Sequence, residues 1–301
     1  MIYSVLKGRV GNNLFQIAAG HSLASRLCTD YKAYIPDFIL PEPDKCTLRN
    51  YLSQFSDNIL RNIEFTDTVP DNILKYSETG DLSFREIPFT DNIILDGYFQ
   101  SEKYFDEKLV RHLFSIDGKT EDYISREYGD LLRQGVTSIN VRRGDYVKQP
   151  HLHPVCSMIY YNEAIDSIGR DKLFIVISDD IGWCRRHFRG ANFHFIDDEP
   201  PVIDLYLQTK CKNNIISNSS FSWWGAWLNP DPEKIVAAPG ENWIGKLHPF
   251  IMSADLLPET WQKFTNPTDL PSKIIIVKKQ AVRKLVEFKK NISAKRKHCE
   301  G

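Results

Sequence analysis

Two adjacent arginines, Arg142 and Arg143, close an apolar run from Val136 to Val141 and are followed by Gly144 and Asp145. Paired guanidiniums at the end of a buried strand deliver fixed positive charge to the mouth of a sheet, where open α/β sheets bind their ligands. A guanidinium suits a phosphate because its planar fork makes two parallel, charge-assisted hydrogen bonds. The alternative is a solvated Arg–Asp pair at a surface strand end. The Arg-Gly-Asp letters directly continue a core strand instead of tipping a loop, which argues against an adhesion signal.

Three further polar runs follow apolar segments in the second half: Ser178-Asp179-Asp180, Asp197-Asp198 and Asn218-Ser219-Ser220-Phe221-Ser222. In a parallel sheet these four strand ends converge on one mouth. The serine run precedes Trp223-Trp224-Gly225-Ala226-Trp227-Leu228, a helix start whose free N–H groups favour an anion. Serines there also cap helices, and the tryptophans also suit a core. Asp204 falls in the first turn of a helix predicted after Pro200-Pro201, where the macrodipole alone favours an acid. Near a nucleotide, its carboxylate could accept the paired N–H donors of a guanine edge. No Asp-x-Asp occurs in the chain. That weakens any reading in which a divalent ion bridges a diphosphate to the protein, and leaves that role to the arginines.

The elements that must position these groups follow from the apolar pattern. Ile2 to Leu6 reads as a strand, Lys7 to Asn13 as a glycine loop, and Leu14, Ile17, Ala18 and Leu23 share a helical face, with Asn12 or Asn13 as the N-cap. The glycine spacing is not Gly-x-Gly-x-x-Gly, so it implies no nicotinamide or flavin site. From Tyr31 to Asp91, Pro36, Pro41, Pro43, Pro70 and Pro88 interrupt short apolar pieces, which predicts loops and short helices. A strand over 93–100 ends in Tyr98 and Phe99, suited to a sugar platform or to plain core packing, and Ser101 caps the next helix. Residues 116–119 read as a turn and 120–134 as a polar helix.

A fresh alternation starts near Gly135. Strands are expected at 138–141, 173–177, 193–196, 214–217 and 234–237, with helices at 160–168, 181–188, 202–211 and 223–228. Strands alternating with helices imply a parallel sheet covered on both faces. The expected layout is an α/β protein with an N-terminal domain over 1–134, a second over 135–272, a cleft between them, and a basic tail over 273–301.

At 301 residues, with 42% hydrophobic and 26% charged residues, the chain has ordinary enzyme composition, and its net charge of −1 argues against nucleic acid as its main partner. The tail from Lys273 onward carries ten Lys/Arg against two Glu. Such a run, amphipathic over 277–290 through Val282, Leu285, Val286 and Phe288, suits either a solvated helix packed on the body or contact with an anionic membrane surface. Six cysteines without a Cys-x-x-Cys pair read as reduced thiols, and the N-terminus enters a strand without a long apolar signal core. No apolar run approaches the roughly 18–20 residues that span a bilayer. The expectation is a cytoplasmic protein, either free or peripheral at the inner face of the plasma membrane. The tripeptides at Asn218 and Asn291 that fit glycosylation are then chance.

Five motifs in order are similar to glycosyltransferase family 11, the α-1,2-fucosyltransferases of bacteria and animals. They are Gly8-x-Val10-Gly11-Asn12-x-x-Phe15-Gln16, Asp96-Gly97-Tyr98-x-Gln100, Arg142-Arg143-Gly144-Asp145-Tyr146, Ser178-Asp179-Asp180-x-x-Trp183 and Asn218 through Leu228. The resemblance runs from residue 2 to about residue 250. It implies a GT-B-like arrangement of two Rossmann-type domains, a GDP-fucose donor, and inverting, metal-independent transfer to O-2 of a β-galactoside, with no cofactor. Carried over by position, Arg142 holds the diphosphate with Arg143 beside it. Asn218, Ser219, Ser220 and Phe221 line the phosphate and fucose pocket, and Asp204 reads the guanine. Gly11, Asn12 and Gln16 sit near the acceptor. One departure stands out: relatives commonly have His where this chain has Asn140, whose amide can still bond the base or ribose but cannot change charge near neutral pH.

Of the groups that could take the acceptor's proton, Asp145 beside arginines makes a poor base and a better anchor for them. His153, in a loop after the arginine motif, has a suitable intrinsic pKa, though a loop histidine is often simply exposed. The competing readings are a GDP-sugar transferase of other linkage and a non-catalytic nucleotide or glycan-binding protein. Acceptors assembled on lipid carriers would explain a basic tail.

Overall fold

The computed structural model describes residues 1–41, 44–78, 80–81, 83–245, 248, 255–268, 272–282 and 284. Two sheets, each wholly parallel, divide the strands. The first contains β1 (Ile2–Val5), β2 (Tyr31–Tyr34), β3 (Phe65–Thr66), β4 (Leu74–Ser77) and β5 (Ile93–Asp96), in the order β3-β2-β1-β5-β4. The second contains β6 (Thr137–Val141), β7 (Phe174–Ser178), β8 (Phe193–Phe195), β9 (Asn213–Ile215), β10 (Val236–Pro239) and β11 (Gln262–Phe264), in the order β11-β10-β9-β6-β7-β8. From β6 the chain adds β7 and β8 on one side and then β9 to β11 on the other. The strand order therefore reverses between β6 and β9, the place where parallel sheets hold their ligands. The expected two-sheet, GT-B-like α/β architecture is present.

Among the described residues eight helices link the strands: α1 (Val10–Arg26), α2 (Leu48–Ser53), α3 (Glu107–Leu113), α4 (Gly118–Leu132), α5 (Met158–Ile168), α6 (Ile181–His187), α7 (Pro201–Thr209) and α8 (Ser220–Trp227). Their starts follow local chemistry. Asp106, Asp117, Ser157 and Asp180 accept capping hydrogen bonds from the N–H three residues on, at the heads of α3, α4, α5 and α6. Pro201 opens α7, where its missing N–H costs nothing.

Two expectations need correction. The stretch from Tyr31 to Asp91 is not merely loops and short helices, because it contributes β2, β3 and β4. β3 is two residues long and β4 lies at an edge with mostly exposed side chains, so neither shows an alternation, and that of β2 runs over only four residues. Pro43, used in that expectation, lies outside the described residues. Nor does Asn12 or Asn13 cap α1. The helix begins at Val10 with Arg9 as N-cap, because Gly8 turns the chain at φ +79° two residues before it.

The two sheets share one core. α1 leaves the carboxyl end of β1 and α8 leaves the carboxyl end of β9, and these helices pack directly on each other. Phe15 on α1 lies 4.5 Å from the Trp223 ring and 4.8 Å from the Trp224 ring, centroid to centroid. Trp223 and Trp224 are fully buried and Trp227 nearly so, which settles the core role of all three. Their indole N–H groups donate to Leu256 O, Gly11 O and Glu102 Oε2. The mouths of both sheets are thereby held face to face.

In the tail, 272–282 is helical, with Ile274, Val277 and Val282 exposed. Leu285, Val286 and Phe288 of the expected apolar stripe lie outside the described residues. No helix among the described residues is long and apolar enough to cross a membrane.

A Cβ at Gly11 would stand 2.5 Å from the Phe221 amide nitrogen and 2.7 Å from the Ser220 carbonyl carbon, both backbone atoms. Gly11→Ala must push the two helices apart, at about 1–3 kcal/mol or more. A clear fall in melting temperature is expected by calorimetry, with loss of contact-dependent Trp fluorescence. An unchanged melt would mean the helices are not locked here.

Candidate active site

Register explains why the arginines are held. In the β6–β7 pairing Val141 stands opposite Ser178, so the next residues, Arg142 and Asp179, emerge side by side. Arg142 Nη1 lies 2.9 Å from Asp179 Oδ2, and Nη2 donates to Asp145 Oδ1 at 2.5 Å. Burial works against the charge of Arg142, but Asp179, Tyr146 and Asp145 outweigh it and hold its pKa above the ordinary arginine value. Gly144 leaves room for this arrangement, since a Cβ there would meet Asp179 Oδ2 at 2.6 Å.

Arg143 turns the other way. Its backbone N–H donates to Asp179 Oδ1 at 2.8 Å, its Nε pairs with Asp180 Oδ2 at 3.1 Å, and its guanidinium lies 4.1 Å from the Trp183 ring centroid. It fixes the strand end against α6 and does not stand as a twin of Arg142. The cluster holds a third arginine that sequence reasoning missed. Arg9, from the first sheet's loop, bonds Asp145 Oδ2 at 3.2 Å and Asp44 Oδ2 at 2.7 Å. Asp145 thus bridges arginines from both halves of the chain, which fits a positioning role. Asp197 pairs with Arg185 at 3.2 Å, both about half exposed, on the side of edge strand β8. Its run does not join the arginine cluster.

Beside Arg142, across the switch between β6 and β9, stands the start of α8. Ser219 is its N-cap residue yet makes no side-chain capping bond, so capping is not what this hydroxyl does. Ser220 donates to Asn12 Oδ1 at 2.8 Å, and Phe221 is half-buried against the core. A cavity of about 110 Å³ opens here, bounded by Asn12, Tyr98, Gln100, Tyr146, His153 and Trp243 among others. A larger cavity of about 390 Å³, beside Arg111, Lys234 and Trp261, adjoins the amino end of β10 and shares none of these groups.

Several expected site residues prove to be framework. Gln16 is fully buried and does not face an acceptor: its amide bonds Lys7 N–H, Lys7 O, Gly97 O and Asn13 Nδ2, tying the ends of β1 and β5 to α1. Gly11 is covered by α8 and likewise offers no acceptor surface. Asn218 is buried, and its amide donates to Pro154 O at 2.6 Å and Trp243 O at 3.1 Å, so it anchors the cavity wall. Asn140 Oδ1 accepts from Ser217 Oγ at 2.8 Å, cross-linking β6 to the segment after β9. Asn12 does border the cavity.

His153 lies in the cavity, stacked 4.8 Å from Tyr146 and edge-on to His248 at 5.3 Å. Its pKa is not the intrinsic one expected. Burial, then His248, push it down to about 4, so it is neutral at neutral pH. Asp204 starts α7 on the mouth side, and burial, helped by Glu199, raises its carboxyl to about 7. Glu199 itself accepts from the Tyr123 and Tyr128 hydroxyls at 2.8 and 2.6 Å. Tyr98, expected as a sugar platform or core residue, does line the cavity, whereas Phe99 is fully buried in the core. Tyr146, Trp243 and His248 were not singled out for the cavity, since they reach it from two segments far apart in the chain, Trp243 and His248 both from the β10–β11 connection. Among the described residues no group of three or more His, Cys, Asp or Glu could hold a metal ion.

The family profile described as "Glycosyl transferase family 11" matches residues 2–243. The chain is 30% identical to the O-antigen biosynthesis glycosyltransferase WbnK of Escherichia coli, over 81% of this chain and 95% of that protein. It is 27% identical to an alpha-1,2-colitosyltransferase of Escherichia coli, over 87% and 98%. It is 23% identical to galactoside alpha-(1,2)-fucosyltransferase 2 of Hylobates lar, over 73% and 67%.

Because the folded Asp204 carboxyl holds its proton to about pH 7, against roughly 4 when unfolded, the folded state binds more protons between those values and loses stability as pH rises through them. Asp204→Asn removes that loss, on the order of 2–4 kcal/mol when complete. Its melting temperature should exceed the parent's at pH 8 and match it near pH 4. Equal differences at both values would show that Asp204 is not buried as a neutral acid.

Proposed function

The chain belongs to glycosyl transferase family 11, and on that premise we propose that it transfers L-fucose from GDP-fucose to the 2-hydroxyl of a terminal galactose. The observation that carries this reading is Arg142, gripped by Asp145 and Asp179 at the strand-order switch and flanked by the start of α8. A guanidinium fixed there is ready for a diphosphate before it arrives.

The galactose hydroxyl attacks C1 of the sugar from the face opposite the diphosphate. As the C1–O bond to the β-phosphate breaks, the new C1–O bond to galactose forms and the anomeric configuration inverts. Negative charge grows on the departing β-phosphate and meets Arg142 and the N–H groups at Ser219 to Phe221. Arginine in place of an Asp-x-Asp metal bridge is the basis for expecting turnover without a divalent ion. The hydroxyl proton passes to neutral His153, while Asp145 keeps Arg142 and Arg9 in position. Asp204, once ionised, accepts the guanine N–H pair.

WbnK's description supports an acceptor of the O-antigen type. We infer that this acceptor ends in galactose and sits on a lipid carrier, where the basic tail would meet the anionic membrane. A second reading has its own support. One relative is named an alpha-1,2-colitosyltransferase, so GDP-linked colitose is the alternative donor.

Incubation with GDP-fucose, a panel of β-galactosides and chelator, followed by product linkage analysis, is expected to give α-1,2-fucosylated product. Arg142→Ala should lose at least about 100-fold in kcat, the scale of one transition-state donor. Near-normal turnover in the folded variant would end the donor assignment. The pH behaviour should split. Below pH 7 Asp204 protonates, so the donor KM rises, whereas kcat at saturating donor stays level until His153 protonates near pH 4. A kcat that already falls at pH 7, equally in His153→Ala, would remove His153 as proton acceptor.

A further inference from the structure

Three side chains from three elements meet on the cavity wall. The Gln100 amide Nε2 donates to Asn12 Oδ1 at 2.8 Å, and the Ser220 hydroxyl donates to the same oxygen at 2.8 Å. Gln100 follows β5, Asn12 lies in the first turn of α1, and Ser220 is the first residue of α8. The chain of bonds therefore crosses from the first sheet's mouth to the second's, and all three residues face the cavity. A hydroxyl has one proton. Once that proton is given to Asn12, Ser220 turns only lone pairs towards a ligand. Those lone pairs cannot bond a phosphate oxygen, which also only accepts, but they suit the O–H of a sugar. The rings of Tyr98, Tyr146 and Trp243 around the same space suit the apolar faces of a pyranose.

We propose that Gln100 is a positioning residue that fixes the polarity of this bond chain, making Ser220 the hydrogen-bond acceptor for a hydroxyl of the acceptor sugar and not a phosphate donor. The proposal rests on the sugar-transfer reading given above and adds to it the residue that sets acceptor recognition. Polarity is the point at issue, because both carboxamides turned over would give Asn12 donating to Gln100 and to Ser220. Ser220 would then have its proton free for phosphate.

Gln100→Glu separates the two. A glutamate carboxylate cannot donate to Asn12 Oδ1, but a protonated glutamate can. The deficit in melting temperature of Gln100→Glu relative to the parent should therefore be large at pH 7.5 and shrink at pH 5. This readout needs no turnover, so it stands even if the fucose-transfer reading fails. With GDP-fucose and a galactoside, the acceptor KM should rise at least about tenfold at pH 7.5, a factor typical of one misdirected hydrogen bond. It should return to within about threefold of the parent at pH 5, while the donor KM relative to the parent stays within about twofold. A purely structural role would not give recovery on acidification. A Gln100→Glu protein that matches the parent at pH 7.5 and weakens at pH 5 has the reversed polarity and overturns the proposal. Should that variant not fold, Ser220→Ala carries the test: the acceptor KM should rise with the Kd for GDP unchanged, and a raised Kd for GDP would overturn it.

Discussion

The contact on which the structure depends is the meeting of α1 and α8 at Gly11. Two helix N-termini approach so closely there that a single Cβ would strike backbone. The Trp224 indole N–H then closes the joint by donating to Gly11 O at 3.0 Å. Each of these helices starts at the carboxyl end of a strand beside its sheet's reversal point, so joining them brings two ligand-binding mouths together. The tryptophans of α8 extend the joint into a core shared by both sheets, with Phe105 stacked 5.5 Å from Trp224 and Phe114 edge-on at 5.4 Å. The cleft is thus built on a packed seam, and its walls inherit that rigidity.

Charge at the mouth is arranged on the same logic. Arg142 has carboxylates on two sides, Arg143 lies on Trp183, and Arg9 reaches over from the first sheet to share Asp145. Each guanidinium has its fork direction set before any ligand is present, and most of the ordering entropy is met on folding. The carboxylates also limit how strongly the mouth attracts anions.

Much of this was legible in the sequence. Strand–helix alternation after Gly135 identified a parallel sheet, and the arginine motif at the end of β6 named the central cation. Those signals are local, a few residues of apolar run followed by polar groups. What was not legible depends on distance along the chain. Arg9 and Asp145 are 136 residues apart, and no spacing rule joins them. Gln16 and Gly11 looked like ligand groups because buried polar residues and glycines in motifs serve framework and site equally. Only the bonds of Gln16 to Lys7 and Gly97, and the cover of Gly11 by Phe221, decide between the two. The lowered pKa of His153 was equally hidden, since it comes from burial beside His248, far along the chain.

A division follows between what register fixes and what loops supply. Arg142 meets Asp179 because β6 and β7 pair in one register, and Asn140 meets Ser217 because β6 and β9 pair in another. A one-residue slip would turn these side chains to opposite faces, so this part of the site is as invariant as the sheet. Tyr98, Trp243 and His248 reach the cavity from connecting segments, which tolerate change without disturbing the sheet. The groups suited to a leaving diphosphate therefore belong to the rigid set and those suited to a sugar to the variable one. Relatives named for colitosyl and for fucosyl transfer differ in the sugar their names give, a difference that loop-borne groups can absorb without disturbing the sheet.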